Sequence, residues 1–319
     1  MKRLLCLAIG WFTVGCLAAA PVSAVTLDGS IAGDGYTLAA VQTVETQFGD
    51  ASPNGGSELD AAWVRFQAGT LYLALTGNLE SNFNKLNVFI DSVAGGENVI
   101  TNDMASGGNN PTNNGWASKH AGLTFDTAFA ADYLIILRNG NFGGNRFDLD
   151  FNTVGNTGLV EASTDIFSGS LTGSNASAVA SGIGVAFNNS NTGGVLGGTG
   201  AANQAAAEAV QTGIELAIPL SAIGNPGSGD TIRISAMING SNHDYLSNQV
   251  LGGLPAGMGN LGGDGTGGFT GTVSGVNFNN FAGSQYFELR TAAVPEPATL
   301  LFLGLGLFGL TGVRRKIKK

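Results

Sequence analysis

The chain has 319 residues, 14 Lys and Arg against 23 Asp and Glu, a formal net charge of −9 and only two cysteines. That acidic balance supplies no basic footprint for phosphate neutralisation and argues against nucleic acid as a partner. Cys6 and Cys16 both lie in the first apolar stretch, so beyond it there is no disulfide, thiolate ligand or cysteine nucleophile.

The chain opens as a targeting segment. Lys2-Arg3 is a basic n-region, Leu4 to Ala20 an apolar h-region and Val22-Ser23-Ala24 a small-residue cleavage site, which predicts a signal peptide over residues 1–24 and a mature start at Val25. A signal anchor is the competing reading. A lipobox at Thr13-Val14-Gly15-Cys16 fits less well, because Thr13 stands where Leu is preferred.

The body then alternates apolar and polar residues in short runs. Ala62, Val64 and Phe66 alternate with Ala61, Trp63 and Arg65; after Ala68-Gly69, Leu71, Leu73 and Leu75 alternate with Tyr72, Ala74 and Thr76, the pattern of a hairpin. Leu86–Asp91 is a further strand, Tyr133–Leu137 is apolar on both faces and reads as central, and Ile214–Ile218 and Ile232–Ile238 repeat the alternation. Ala201–Gln211, with six alanines, is the best helix by propensity. Ser168–Gly200 is rich in Gly, Ser, Asn and Thr and is compatible with either a long loop or ordered edge strands.

Candidate chemistry is sparse. Trp116 sits in the polar stretch Asn113–Ser118, Tyr245 in the polar cluster Ser241–Gln249, and Trp63 on a strand face; each is a candidate to stack on a sugar. The alternatives are a loop anchor for Trp116, a solvated turn for Tyr245 and core packing for Trp63. Two histidines, His120 and His243, give poor support for zinc. Asp148, Asp150 and Asn152 lie on one face of an extended segment and are the candidate oxygen ligands for calcium, with an acidic strand edge as the alternative. Asp91 and Glu97, flanking Gly95-Gly96, form a second such candidate. No G-x-S-x-G, S-x-x-K or H-E-x-x-H occurs, so a non-enzymatic role is expected. A glycosidase, whose carboxylate pairing is spatial, stays as a lesser alternative.

The last segment, residues 294–319, reads as one unit. Pro295-Glu296-Pro297 precedes an apolar run from Ala298 to Val313 and the basic tail Arg314, Arg315, Lys316, Lys318 and Lys319. The sixteen residues of this run at about 1.5 Å each span about 24 Å, marginal for a hydrocarbon core of about 30 Å. A single transmembrane helix is expected, with Arg314, Arg315 and Lys316 setting its cytoplasmic end and the prolines stopping it from extending backwards. A buried core helix is the alternative. Gly304–Gly309 has G-x-G-x-x-G spacing, but without a preceding strand or βαβ context it is no dinucleotide site. Without the two targeting segments, residues 25–293 keep 7 basic and 22 acidic residues, a net of −15. Such a surface suits solubility, neutral sugars or divalent cations.

Val294-Pro295-Glu296-Pro297-Ala298-Thr299, the Leu/Gly/Phe-rich run and Arg314-Arg315-Lys316 resemble the PEP-CTERM sorting segment. The resemblance implies processing by an exosortase-type protease, an inner-membrane intermediate and delivery to the cell surface or extracellular matrix of a Gram-negative bacterium, in an exopolysaccharide or biofilm context. Leu27-Asp28-Gly29, Glu58–Trp63 running into Gly69–Leu75, and Gly213–Leu220 followed by Ile232–Ile238 resemble family 9 carbohydrate-binding modules and DOMON-like sandwiches. That resemblance implies a sugar clamped between aromatic rings, often with structural calcium. The Gly/Asn-rich insertions at Ser92–Thr127 and Ser168–Gly200 depart from the compact module.

The expected architecture is therefore all-β: a single antiparallel β-sandwich over residues 25–293 with long Gly/Asn-rich loops and one short helix, plus the C-terminal transmembrane helix. The expected role is polysaccharide binding at the surface; the alternative is a structural matrix protein with no small ligand.

Overall fold

Short strands of alternating apolar residues can bury only one face each, and the chain resolves this by stacking two antiparallel sheets. The computed structural model describes residues 23–51, 55–102, 115–155, 160–169 and 172–291. The predicted signal peptide up to residue 22 and the tail from residue 292 lie outside the described residues, and with them Pro295, Glu296, Pro297, Arg314, Arg315, Lys316 and the predicted transmembrane helix. No helix among the described residues is long and apolar enough to cross a membrane.

The first sheet has the order β1-β2-β3-β10-β9-β8, with β1 at Thr37–Val41, β2 at Glu58–Gln67, β3 at Thr70–Asn78, β8 at Thr172–Asn175, β9 at Gly184–Asn188 and β10 at Gly213–Pro219. The second has the order β12-β11-β4-β5-β6-β7, with β4 at Lys85–Asp91, β5 at Tyr133–Asn141, β6 at Asn145–Thr153, β7 at Val160–Ser168, β11 at Thr231–Asn239 and β12 at Leu246–Leu251. A short β13, Phe287–Arg290, pairs with the start of β11. The β2–β3 hairpin turns at Ala68 and Gly69, both at positive φ (50° and 78°), the conformation that matches the right-handed strand twist.

The inner faces form the main core. Leu71, Leu73 and Leu75 of β3 and Leu216 and Ile218 of β10 pack with Val88 and Ile90 of β4, Ile135 and Leu137 of β5, and Ile232, Ile234 and Ile238 of β11. Each such side chain contributes about 1.5–3 kcal/mol. Burial of this kind is the main stabiliser available to a body without cysteine.

The second sheet is apolar on both faces, as the run Tyr133–Leu137 predicts. Its outer face places Phe89, Leu134, Ile136 and Met237 under a cover from the long connections, including Phe125, Phe129, Leu261, Val273 and Phe278. The Gly/Asn-rich insertions thus act in part as a third layer. A one-turn helix α1, Trp116–His120, belongs to this cover. The alanine-rich segment forms helix α2 only over Gln204–Glu208, capped by the Asn203 side chain. Ser168–Gly200 includes the edge strand β8 and, next to it, β9, which pairs with both β8 and β10, followed by an irregular segment.

The strand registers define two ends. Asp91, Tyr133, Thr153 and Thr231 lie at one, beside Thr291. Lys85, Asn139, Asn145 and Asn239 lie at the other, with the β5–β6 hairpin tip. Ser57, just before β2, joins the first sheet to this second end through bonds with Glu80 N and Asn84 Nδ2 at 3.0 and 3.4 Å.

Candidate functional site

The hairpin end is unusually rich in amides. Asn141 pairs with Asn145 across the tip, and the turn between them holds Gly143 at φ 74° and Gly144 at φ 156°. Phe142 N donates to Gly144 O at 3.0 Å and Gly144 N to Asn141 Oδ1 at 3.2 Å. A bend of this kind needs glycine. The result is that Phe142 projects from the fold with 83 % of its surface exposed.

The base of the tip is fixed. Phe83 N donates to Asn139 O at 2.8 Å, and the Phe83 ring lies on Gly140, where an added Cβ would approach Phe83 Cε1 to 2.1 Å. Arg146 lies 5.8 Å from the Phe83 ring centroid, a cation–π contact, and bonds Asp148 at 2.7 Å. Beside it, Asn139 and Asn189 both donate to Leu79 O, at 2.8 and 3.3 Å, and Asn78 donates to Asn191 O at 3.2 Å. Exposed Asn82 and Asn141 and half-exposed Asn145, Asn188 and Asn189 line this end.

Beneath the amide strip lie two sealed carboxyls. Glu58 and Asp60 of β2 are each 0 % exposed. Glu58 accepts from Ala51 N at 2.9 Å and Asn191 Nδ2 at 2.9 Å; Asp60 accepts from Val195 N at 2.8 Å and Asn191 Nδ2 at 3.3 Å. Burial pushes both carboxyls well above their ordinary range, and the Asp60 charge raises Glu58 further.

The predicted site residues fall in different places. Trp116 is corrected from a ligand contact to a core residue: it is 3 % exposed inside the outer cluster, where α1 turns the ring inward. Tyr245 does reach the amide-rich end, but its ring stacks on Phe48 at 6.2 Å and its hydroxyl donates to Gly267 O at 3.1 Å. Trp63 is half-buried on the outer face of the first sheet, and its Nε1 is buried with no acceptor among the described residues.

The calcium candidates are corrected too. Asp148, Asp150 and Asn152 do share a face of β6 and are all 0 % exposed, but the Arg138 guanidinium stands where a cation would. It bonds Asp148 at 3.0 Å and Asp150 at 2.6 Å. Asp91 is likewise paired, with Arg233 at 3.3 Å. Among the described residues no group of three or more His, Cys, Asp or Glu is placed to hold a metal ion.

Phe142 was not among the residues singled out from sequence, although Asn141-Phe142-Gly143-Gly144-Asn145 carried the signal of an aromatic lifted by a tight turn. Glu215 links residues that carried the body's resemblance. It is 1 % exposed and accepts from Asp28 N at 2.9 Å, Gly29 N at 3.0 Å and the Tyr36 hydroxyl.

Residues 293–316 match the PEP-CTERM protein-sorting motif. The motif implies an exported protein sorted by an exosortase toward the cell surface. No curated protein and no solved structure matches the chain.

Proposed function

We propose that this PEP-CTERM-bearing chain is a non-enzymatic surface or extracellular-matrix protein whose amide-rich end binds polysaccharide. The observation that carries the reading is Phe142, an aromatic ring 83 % exposed on a fixed hairpin tip. Sugar rings present C–H faces that stack on aromatics, while their hydroxyls bond amides and guanidinium groups. Phe142 supplies the first, and Asn82, Asn141, Asn145 and Arg146 supply the second. The net charge of −15 on residues 25–293 suits neutral polymers better than acidic ones.

A second reading, a structural spacer in the matrix, draws support from the burial of Trp116 and the internal engagement of Tyr245. Retention of the protein on a panel of bacterial and plant polysaccharides, with calcium and with chelator, separates the two. Binding predicts retention on at least one polymer, weakened by Phe142→Ala; no retention on any polymer leaves the spacer reading. The tail is proposed as a temporary membrane anchor removed by the exosortase. An intact mass still ending at Lys319 in the native protein would contradict that.

A further inference from the structure

The geometry points to a fixed orientation at the lipid surface: while the sorting tail is in place, the Thr291 end of the sandwich faces the bilayer and the Phe142 tip faces away. This rests on the tail acting as a membrane anchor, as proposed above.

Two observations carry it. The first is how late the chain is released from the body. Phe287 and Leu289 of β13 are in the main core, and β13 pairs with β11 as far as Arg290 opposite Thr231. Thr291 is 5 % exposed. Its N–H donates to Asp230 O at 3.0 Å, its carbonyl accepts from Gly229 N at 3.2 Å, and its hydroxyl donates to Gly227 O. Six residues, 292–297, separate this clamp from the apolar run that begins at Ala298. Fully extended, six residues reach about 22 Å at most. A tether shorter than the body it holds cannot let the body stand inverted on the bilayer with its far end at the lipid.

The second is where the clamp lies. Thr231 and Asp91, through their registers with Arg290 and Arg233, share this end with Tyr133, where β5 begins. β5 runs nine residues from Tyr133 to Asn141, about 30 Å at roughly 3.3 Å per residue. Phe142 follows directly. The ring proposed to hold polysaccharide therefore stands about 30 Å beyond the face that carries Val93, Ser228 and Asp230.

The cysteine-free body permits a direct test. Ser228→Cys and Phe142→Cys, both at exposed positions, are each labelled with one fluorophore in the chain from Val25 to Lys319. The labelled chain is mixed with vesicles of phosphatidylethanolamine and phosphatidylglycerol carrying a headgroup nitroxide. Flotation with the vesicles is scored first, then quenching. The orientation predicts strong quenching at residue 228 and none above the lipid-free baseline at residue 142. Flotation with equal quenching at both positions, or stronger quenching at residue 142, overturns the orientation and leaves the anchor standing. Failure to float overturns the anchor and the orientation together.

Discussion

Glu58 and Asp60 stand two residues apart on one strand and share a single amide donor, Asn191 Nδ2, at 2.9 and 3.3 Å. No described Lys, Arg or His forms an ion pair with either. Asp50 lies close enough to raise both further. Two such carboxyls cannot both be ionised cheaply, so the pair keeps a proton that solvent-exposed carboxyls have lost.

This fixes the sign of one pH effect. A carboxyl whose folded pKa is raised binds more protons in the native than in the unfolded state above the ordinary carboxylate range, so stability falls as pH rises through that window. Glu58→Gln makes one partner permanently neutral. Thermal melts should show the variant gaining on the parent as pH is raised from about 5 to about 9, by roughly 2–4 °C for each kcal/mol. Parallel pH profiles for the two proteins would refute the shared proton.

His120 predicts the opposite limb. It is fully buried, bonded through Nδ1 to Trp116 O at 2.8 Å and through Nε2 to Asn87 Nδ2 at 3.0 Å, and burial pushes its pKa down to about 4. Between about 4 and 6.5 the unfolded chain binds a proton that the folded chain does not, so this group's contribution is lost as pH falls. Ring resonances of His120 followed by NMR should titrate well below the ordinary imidazole range. A midpoint near 6.5 would show that the ring is not sealed.

Arg138 is expected to be the cation of its site. Arg138→Met leaves Asp148 and Asp150 buried with Arg146 bonded to the first and only Lys85 within electrostatic reach of both, and should cost about 3–5 kcal/mol. Calcium added to the unmodified protein should leave its Tm unchanged. A calcium-dependent rise in Tm that is abolished by Asp150→Asn would mean that the guanidinium does not own the site.

Much of the sandwich was legible in the sequence. The 61–66 and 71–76 alternation, the both-faces-apolar run at 133–137 and the strands at 214–218 and 232–238 announce themselves, because in each one face or both must be dry. β8, β9 and β13 were not: Thr172–Asn175 has no apolar residue, and Gly184–Asn188 and Phe287–Arg290 are only five and four residues long, too short to display a period. The third layer was also hidden. Phe125, Phe129 and Phe278 are scattered through long polar connections and meet only when these fold over the second sheet. Sequence correctly placed Asp148, Asp150 and Asn152 on one face but could not show that Arg138 lies opposite Asp148 on the neighbouring strand. Trp116 looked like a loop residue because its cover comes from residues far away in sequence.

Glu215 ties the segment at Asp28 and Gly29 to the first sheet. Glu215→Ala leaves the Asp28 and Gly29 amides and the Tyr36 hydroxyl without their carboxylate, a loss of about 1–3 kcal/mol. Hydrogen exchange should accelerate at Asp28 and Gly29 while the β5 amides keep their protection. Uniform acceleration across the molecule would instead mark Glu215 as a determinant of global stability.

The most direct test of the polysaccharide reading is affinity electrophoresis of the protein and its Phe142→Ala variant through gels containing each candidate polymer. Losing a stacked ring worth about 1.5–3 kcal/mol corresponds to a ten- to hundredfold loss of affinity. The account predicts that one or more polymers retard the parent, that the variant migrates nearly as in a polymer-free gel, and that both proteins melt at the same temperature. Equal retardation of parent and variant would move the binding face elsewhere, and retardation of neither by any polymer would contradict polysaccharide binding.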